Sequence, residues 1–396
     1  MYGVKSFDRQ TDRQTDRQTD RQTDRQTDRQ TDRQTDRRNY GIDLLRLVAM
    51  FMVVILHVLG QGGVLSATTG DKHHIAWFLE TAAYCAVDCY AIISGFVAYN
   101  ENENPYRYTK FFSFWLQIFT YSFGITLLAF LLKPESIGIT TVIKSSLPVA
   151  SGAYWYVSAY AGLFFIIPWL NKLMRSCNLK EATRLITVVI FAFVVYVTFA
   201  NCLGDCFKLE GGYSFVWLSI LYLVGAWLKK CDIPKHIRNS YFLVGSAICI
   251  VFSWFAHEFI PVSVFSVFVN YTSFTIVFVA ISLVSVFSKL HFSPKSSKVI
   301  ACFAPAAFGV YLIHVQPIVW GHFMSNAFVW IADFPAWLLP ILVLGSSFVI
   351  FVVCLLIEKI RLILFKLLKI NQFTGFVEKK LDYIVNSIFD KTASKI

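Results

Sequence analysis

The chain has 396 residues, of which 56% are hydrophobic, 17% aromatic and only 15% charged. Soluble domains carry about 25% charged residues. A chain this apolar cannot cover itself with polar surface, which excludes an ordinary soluble enzyme. The net charge of +11 is not a nucleic-acid signature, because Lys and Arg fall in short runs between apolar stretches, as in the cytoplasmic loops of membrane proteins.

The first segment is a repeat. Asp-Arg-Gln-Thr recurs seven times from Asp8 to Thr35 and breaks at Asp36-Arg37-Arg38. It has no apolar residue and alternates opposite charges, so residues 1–38 are predicted to be disordered. One back-translation, GAC AGA CAG ACA, is GACA read three times. Such DNA slips in replication and shifts the reading frame, which points to phase-variable expression. A selected spacer or binding tail is the other reading. No cleavable signal peptide is expected before the first span.

About ten apolar segments follow, at 43–65, 75–99, 111–132, 153–171, 184–201, 213–228, 240–260, 264–287, 300–322 and 336–358. Most are long enough to cross about 30 Å of hydrocarbon as helices. The runs are continuous rather than alternating, which favours an all-α helix bundle over a barrel. Pro168 interrupts the fourth, and 137–150 before it reads as interfacial or re-entrant. With the N-terminus in the cytoplasm, thirteen Lys and Arg fall in inside loops, from Arg107 to Lys298, against four outside at Lys72, Lys133, Lys144 and Lys208. That bias predicts an N-in, C-in bundle. The expected transmembrane domain spans 39–365. The tail, 366–396, reads as an amphipathic helix on the anionic cytoplasmic leaflet. The nine Cys lack framework spacing, although Cys202 and Cys206 share one loop and could pair.

Ionisable side chains at bilayer depth are costly and therefore functional candidates. Arg46 and His57 in the first segment are eleven residues apart. On a helix that leaves them within about 20° of one face and about 16 Å apart along the axis. Arg46 is a fixed cation suited to phosphate, His57 a general base. A snorkelling Arg with a hydrogen-bonded core His is the other reading. Asp43, one turn before Arg46, could orient it. Asp88, the most deeply placed acid, is expected to pair with His57 or Arg46, in a catalytic or a purely structural role. Ser94 either contacts substrate or bonds its own helix backbone. Tyr154 and Trp155 form either an interfacial belt or a platform for a sugar ring. His257-Glu258, His322 and His73-His74 are weaker candidates, and the His pair lacks further ligands for zinc.

Arg46-x10-His57, followed by Val87-Asp88-x5-Ser94-Gly95-Phe96, resembles the acyltransferase 3 family of membrane O-acyltransferases. Tyr154-Trp155-Tyr156, Phe308-Gly309-Val310-Tyr311-Leu312-Ile313-His314 and Leu356-Ile357-Glu358 resemble its later segments in the same order. The resemblance extends over about 39–365 and is nearest the branch that acetylates enterobacterial common antigen and related sugars. It implies a bacterial inner-membrane enzyme with an acyl-CoA donor, usually acetyl-CoA, and no metal. The implied acceptor is a sugar hydroxyl on a lipid-linked or surface glycan such as lipopolysaccharide or capsule. Arg46 and His57 would be the essential pair, with Asp88 beside them. Arg46, Arg107 and Lys110 would hold the donor, and Ser94, Tyr154, Trp155 and His314 the acceptor. Many members carry Arg-x-x-Arg where this chain has Arg107 and Lys110, and Lys is a point cation rather than a fork. No soluble domain is expected after the spans. A lipid-linked glycan flippase would explain buried charges equally well, but would favour internal repeats, and none is visible between 43–171 and 184–358.

Overall fold

A computed structural model describes residues 38–102, 107–260 and 267–393. The repeat tract over 1–37 lies outside the described residues. The chain divides into two units, Met1–Tyr40 and Gly41–Ile396, and the second is a bundle of helices with no strand among its described residues.

Each of the ten apolar segments carries a helix. They are α1 (Tyr40–Leu59), α2 (Asp71–Ala98), α3 (Lys110–Leu132), α4 (Trp155–Ser176), α5 (Leu179–Ala200), α6 (Phe215–Lys230), α7 (Asn239–Phe259), α8 (Phe274–Phe287), α9 (Pro294–His314) and α10 (Leu339–Leu367). All but α6 and α8 are long and apolar enough to cross a membrane. Those two have 16 and 14 residues, about 24 and 21 Å of helix, which is short of the hydrocarbon thickness. They are also enclosed: α6 buries every residue from Trp217 to Ala226. Surrounded by protein, neither has to match the lipid itself. By contrast α3, α5, α7 and α10 turn large apolar side chains outward, among them Leu128, Val188, Phe252 and Phe348. That inverted pattern suits lipid contact.

Two segments differ from the sequence reading. The eighth helix begins only at Phe274. The ninth begins earlier, at Pro294, and stops at His314, because the buried Gln316 side chain caps the N–H groups of Ile318 and Val319 at 2.7 and 3.1 Å. Pro317 then starts a separate short helix, as Pro favours a first helical position. Pro168 does not interrupt α4, which is continuous through it. Cys202 and Cys206 are exposed and free.

Close approach of α2 and α6 is set by two glycines. A Cβ on Gly95 would lie 1.9 Å from the Tyr222 carbonyl oxygen, and one on Gly225 would lie 2.0 Å from that of Ile92. Each helix thus presents a gap to the other's backbone, the small-residue packing expected where lipid gives no hydrophobic drive between helices. Two large apolar cores result, with a third, smaller one around Tyr99, Met174, Ile186 and Val224. One joins most of α1 to α3, α9 and α10. The other joins the start of α1 to the second half of α2, with α4, α5, α6 and α8. Tyr84, Tyr90 and Tyr156 pack against both.

A last helix, α11 (Ile370–Ala393), follows a turn at Lys369. It is held to α3 by its acidic residues. Arg107 Nε donates to Asp382 at 3.0 Å, the Thr109 hydroxyl donates to Asp382 at 2.7 Å, and the Ser113 hydroxyl donates to Glu378.

Candidate active site

His57 lies two residues before the end of α1. The turn after it is pinned from across the bundle. The Asn326 N–H donates to the Gln61 carbonyl and the Phe328 N–H to the Gly62 carbonyl, both at 2.9 Å. Those bonds fix the end of α1 against the segment after α9. His57 Nδ1 and His314 Nε2 are 2.8 Å apart, and His314 Nδ1 is 2.6 Å from the Val310 carbonyl oxygen. Trp320 sets its ring edge-on to His57, with centroids 4.7 Å apart. His314 is 1% exposed, whereas His57 is only half-buried and lines a cavity.

That cavity, of about 60 Å³, occupies the seam between the two cores. Its wall is aromatic: Tyr90, Trp155, Tyr156, Tyr213, Tyr271, Phe308 and Tyr311 join His57 and four aliphatic side chains. Trp155 is 4.4 Å from Tyr213, centroid to centroid. Among the described residues the buried Tyr311 hydroxyl has no hydrogen-bond partner of good geometry, and it lines the same cavity as His57. An apolar wall with few polar groups is the usual build of a small-molecule site.

A second cavity, of about 290 Å³, opens where α2 ends and α3 begins. Arg107, Lys110 and Arg175 line it together with the amides of Asn100, Asn102 and Asn171. Three cations and three amides are a donor set suited to phosphate oxygens. The two cavities share α2: Tyr90 lines the first and Tyr99 the second, which is about 14 Å of helix. Arg46 lines neither cavity but adjoins the first, its backbone carbonyl accepting from the Tyr90 hydroxyl at 2.6 Å. Its guanidinium donates to Asp43 at 2.7 Å, the orienting contact that the spacing suggested.

The structure therefore brings together His57 and Trp155 at one cavity, with His314 behind His57 and outside the lining, and Arg107 and Lys110 at the other. It does not bring Asp88 to His57 or Arg46. Asp88 accepts from the Trp217 indole N–H at 3.1 Å, and its second oxygen is buried without a partner among the described residues. Trp217 on α6 reaches Asp88 first because the two glycines seat α6 directly against α2. Ser94 donates to the Tyr90 carbonyl on its own helix. Tyr154 is fully buried, its hydroxyl donating to the Leu312 carbonyl, and it lines neither cavity. His74 and His257 both contact the Glu258 carboxylate, at 2.6 and 2.9 Å. Among the described residues no group of three His, Cys, Asp or Glu side chains is arranged to hold a metal ion.

Sequence reasoning did not single out Tyr90, Tyr213, Tyr271, Trp320 or Arg175. In a chain with 18 Tyr and 10 Trp, an aromatic on an apolar helix gives no signal of its own. Arg175 was visible only as one of the inside-loop cations.

No curated protein and no solved structure matches the chain. A family model does: the acyltransferase domain of the acyltransferase 3 family matches residues 39–359. The match takes in α1 through most of α10, both cavities and the His57–His314 contact. The membrane helix bundle is thus that of an acyltransferase, and the chain belongs to the acyltransferase 3 family.

Proposed function

We propose that this chain is an O-acetyltransferase that moves an acetyl group from acetyl-CoA to a sugar hydroxyl of a lipid-linked or surface glycan, with His57 as the general base. The observation that carries the reading is His57 itself, an imidazole on the wall of a cavity otherwise lined by aromatic and aliphatic side chains in an acyltransferase bundle. Direct transfer needs one group to take the hydroxyl proton as the oxygen attacks the thioester carbonyl. The new C–O bond forms, the C–S bond breaks, and the proton taken by His57 is handed to the departing CoA sulfur.

The family resemblance, whose usual donor is acetyl-CoA, supports a short acyl group. The Arg107–Lys110–Arg175 cavity suits the CoA phosphates, with the thioester arm following α2 toward His57. Arg46 and the Tyr90 hydroxyl border that path, and Trp155 and Tyr213 offer faces on which a sugar ring can stack. The excess of Lys and Arg in alternate loops supports an N-in, C-in placement in a bacterial inner membrane, which puts this cationic cavity on the side where acyl-CoA is made. The Asp-Arg-Gln-Thr tract supports phase-variable expression, and the amphipathic α11 supports contact with membrane lipid. Compositional analysis of the surface glycan with and without the gene tests the reading: loss of ester-linked acetate with the glycan retained is expected, and unchanged acetate overturns it.

A further inference from the structure

We infer that His314 is a positioning residue that fixes the tautomer of His57, so that the lone pair of His57 sits on Nε2. This rests on the reading of His57 as the base. Val310, His314 and His57 form a short chain of hydrogen bonds. The Val310 carbonyl can only accept, so the 2.6 Å contact requires the hydrogen on His314 Nδ1. A neutral His314 then presents a bare Nε2. That atom is 2.8 Å from His57 Nδ1, and the one hydrogen between them must come from His57. With Nδ1 protonated, a neutral His57 carries its lone pair on Nε2, the nitrogen turned away from His314. Val310 precedes His314 by one helical turn, so the outer bond of the chain is fixed by the backbone of α9 itself.

The arrangement uses a histidine where a base is more often oriented by a carboxylate. It also removes His314 from the acceptor site. Both its ring nitrogens are engaged and it is 1% exposed, so none is left for a sugar. During transfer the hydroxyl proton goes to Nε2 of His57, the Nδ1 hydrogen stays where it is, and His314 is not protonated.

Three variants separate this role from simple packing. His314→Gln places an amide oxygen near the Nε2 position and can still accept from His57. His314→Asn ends one bond short, and His314→Phe fills the space without an acceptor. Transfer from acetyl-CoA to the native glycan of the membrane fraction is read as alkali-labile acetate. The Gln variant should stay within about tenfold of the parent, while Asn and Phe fall by about 10²–10⁴ in turnover, all with an unchanged KM for acetyl-CoA. In ¹⁵N-histidine spectra, with His57 assigned by difference against His57→Gln, Nε2 of His57 should be unprotonated in the parent and protonated in the Phe variant. Parental turnover in the Phe variant, or a hydrogen on His57 Nε2 in the parent, overturns the inference. The parent spectrum decides alone if the Phe variant does not accumulate. An active His57→Gln enzyme defeats the underlying reading; a dead one beside an active His314→Phe defeats only the role given to His314.

Discussion

Gly309 and Glu358 occupy one space. A Cβ on Gly309 would lie 2.4 Å from the carboxyl carbon of Glu358. Glu358 is fully buried in α10 and accepts from Gln117 at 3.0 Å, from Arg361 at 2.8 and 2.5 Å, and from the Tyr121 hydroxyl. This carboxylate therefore ties α10 to α3 across the face of α9, and only a glycine on α9 leaves it room.

Gly309→Ala must push the carboxylate out of that set of donors or force α9 and α10 apart. We expect a loss of about 1–3 kcal/mol, the usual range for overpacking. It would be read as a lower temperature of aggregation for the detergent-solubilised protein. Gly345→Ala, where no atom lies within 4 Å, is the matched control and should be neutral. Equal stability of the two variants contradicts the shared-space account.

The cations around the second cavity should act on donor binding and not on chemistry. Alanine at Arg107, Lys110 or Arg175 is expected to raise the KM for acetyl-CoA several-fold with turnover nearly unchanged, and the effect should shrink at high salt as charges are screened. Arg46→Lys keeps the charge but loses the bidentate fork and should likewise weaken donor use while leaving the protein inserted. An unaltered KM in the Arg175 variant would remove the side chain that the structure, and not the sequence, placed there.

Docking of α11 should depend on two carboxylates. The Thr109 hydroxyl, and then the Arg107 guanidinium, hold the Asp382 carboxyl below its ordinary range. A depressed value means that the contact is fully present above the ordinary carboxylate pKa and is lost as pH falls through the lower, folded value. At neutral pH the tail should be protected from protease. Asp382→Asn with Glu378→Gln should speed cleavage within α11 several-fold, and an unchanged rate would show that something other than these contacts holds the tail.

Most of the bundle was legible in the sequence because apolar length is a strong signal in lipid: each of the ten segments carries a helix, and Arg46-x10-His57 marked the helix that carries the candidate site. Helix ends were less legible. The stop at His314 depends on a cap from Gln316, which composition cannot reveal. The partners of buried groups were the least legible. Asp88 meets Trp217, 129 residues away, and His57 meets His314, 257 residues away. Neither pairing has a local signature, since a polar group in an apolar helix shows only that it needs a partner. For Asp88 the choice of partner follows from the two glycines that seat α6 against α2.

The claim that His57 is the base is tested most directly by His57→Gln. Glutamine keeps the size and hydrogen bonding but cannot take a proton at neutral pH. In membranes supplied with acetyl-CoA, transfer to glycan should fall by about 10²–10⁴, with membrane insertion and acetyl-CoA binding unchanged. Near-parental release of alkali-labile acetate from the glycan of the Gln variant would contradict the account and leave His57 as a packing residue.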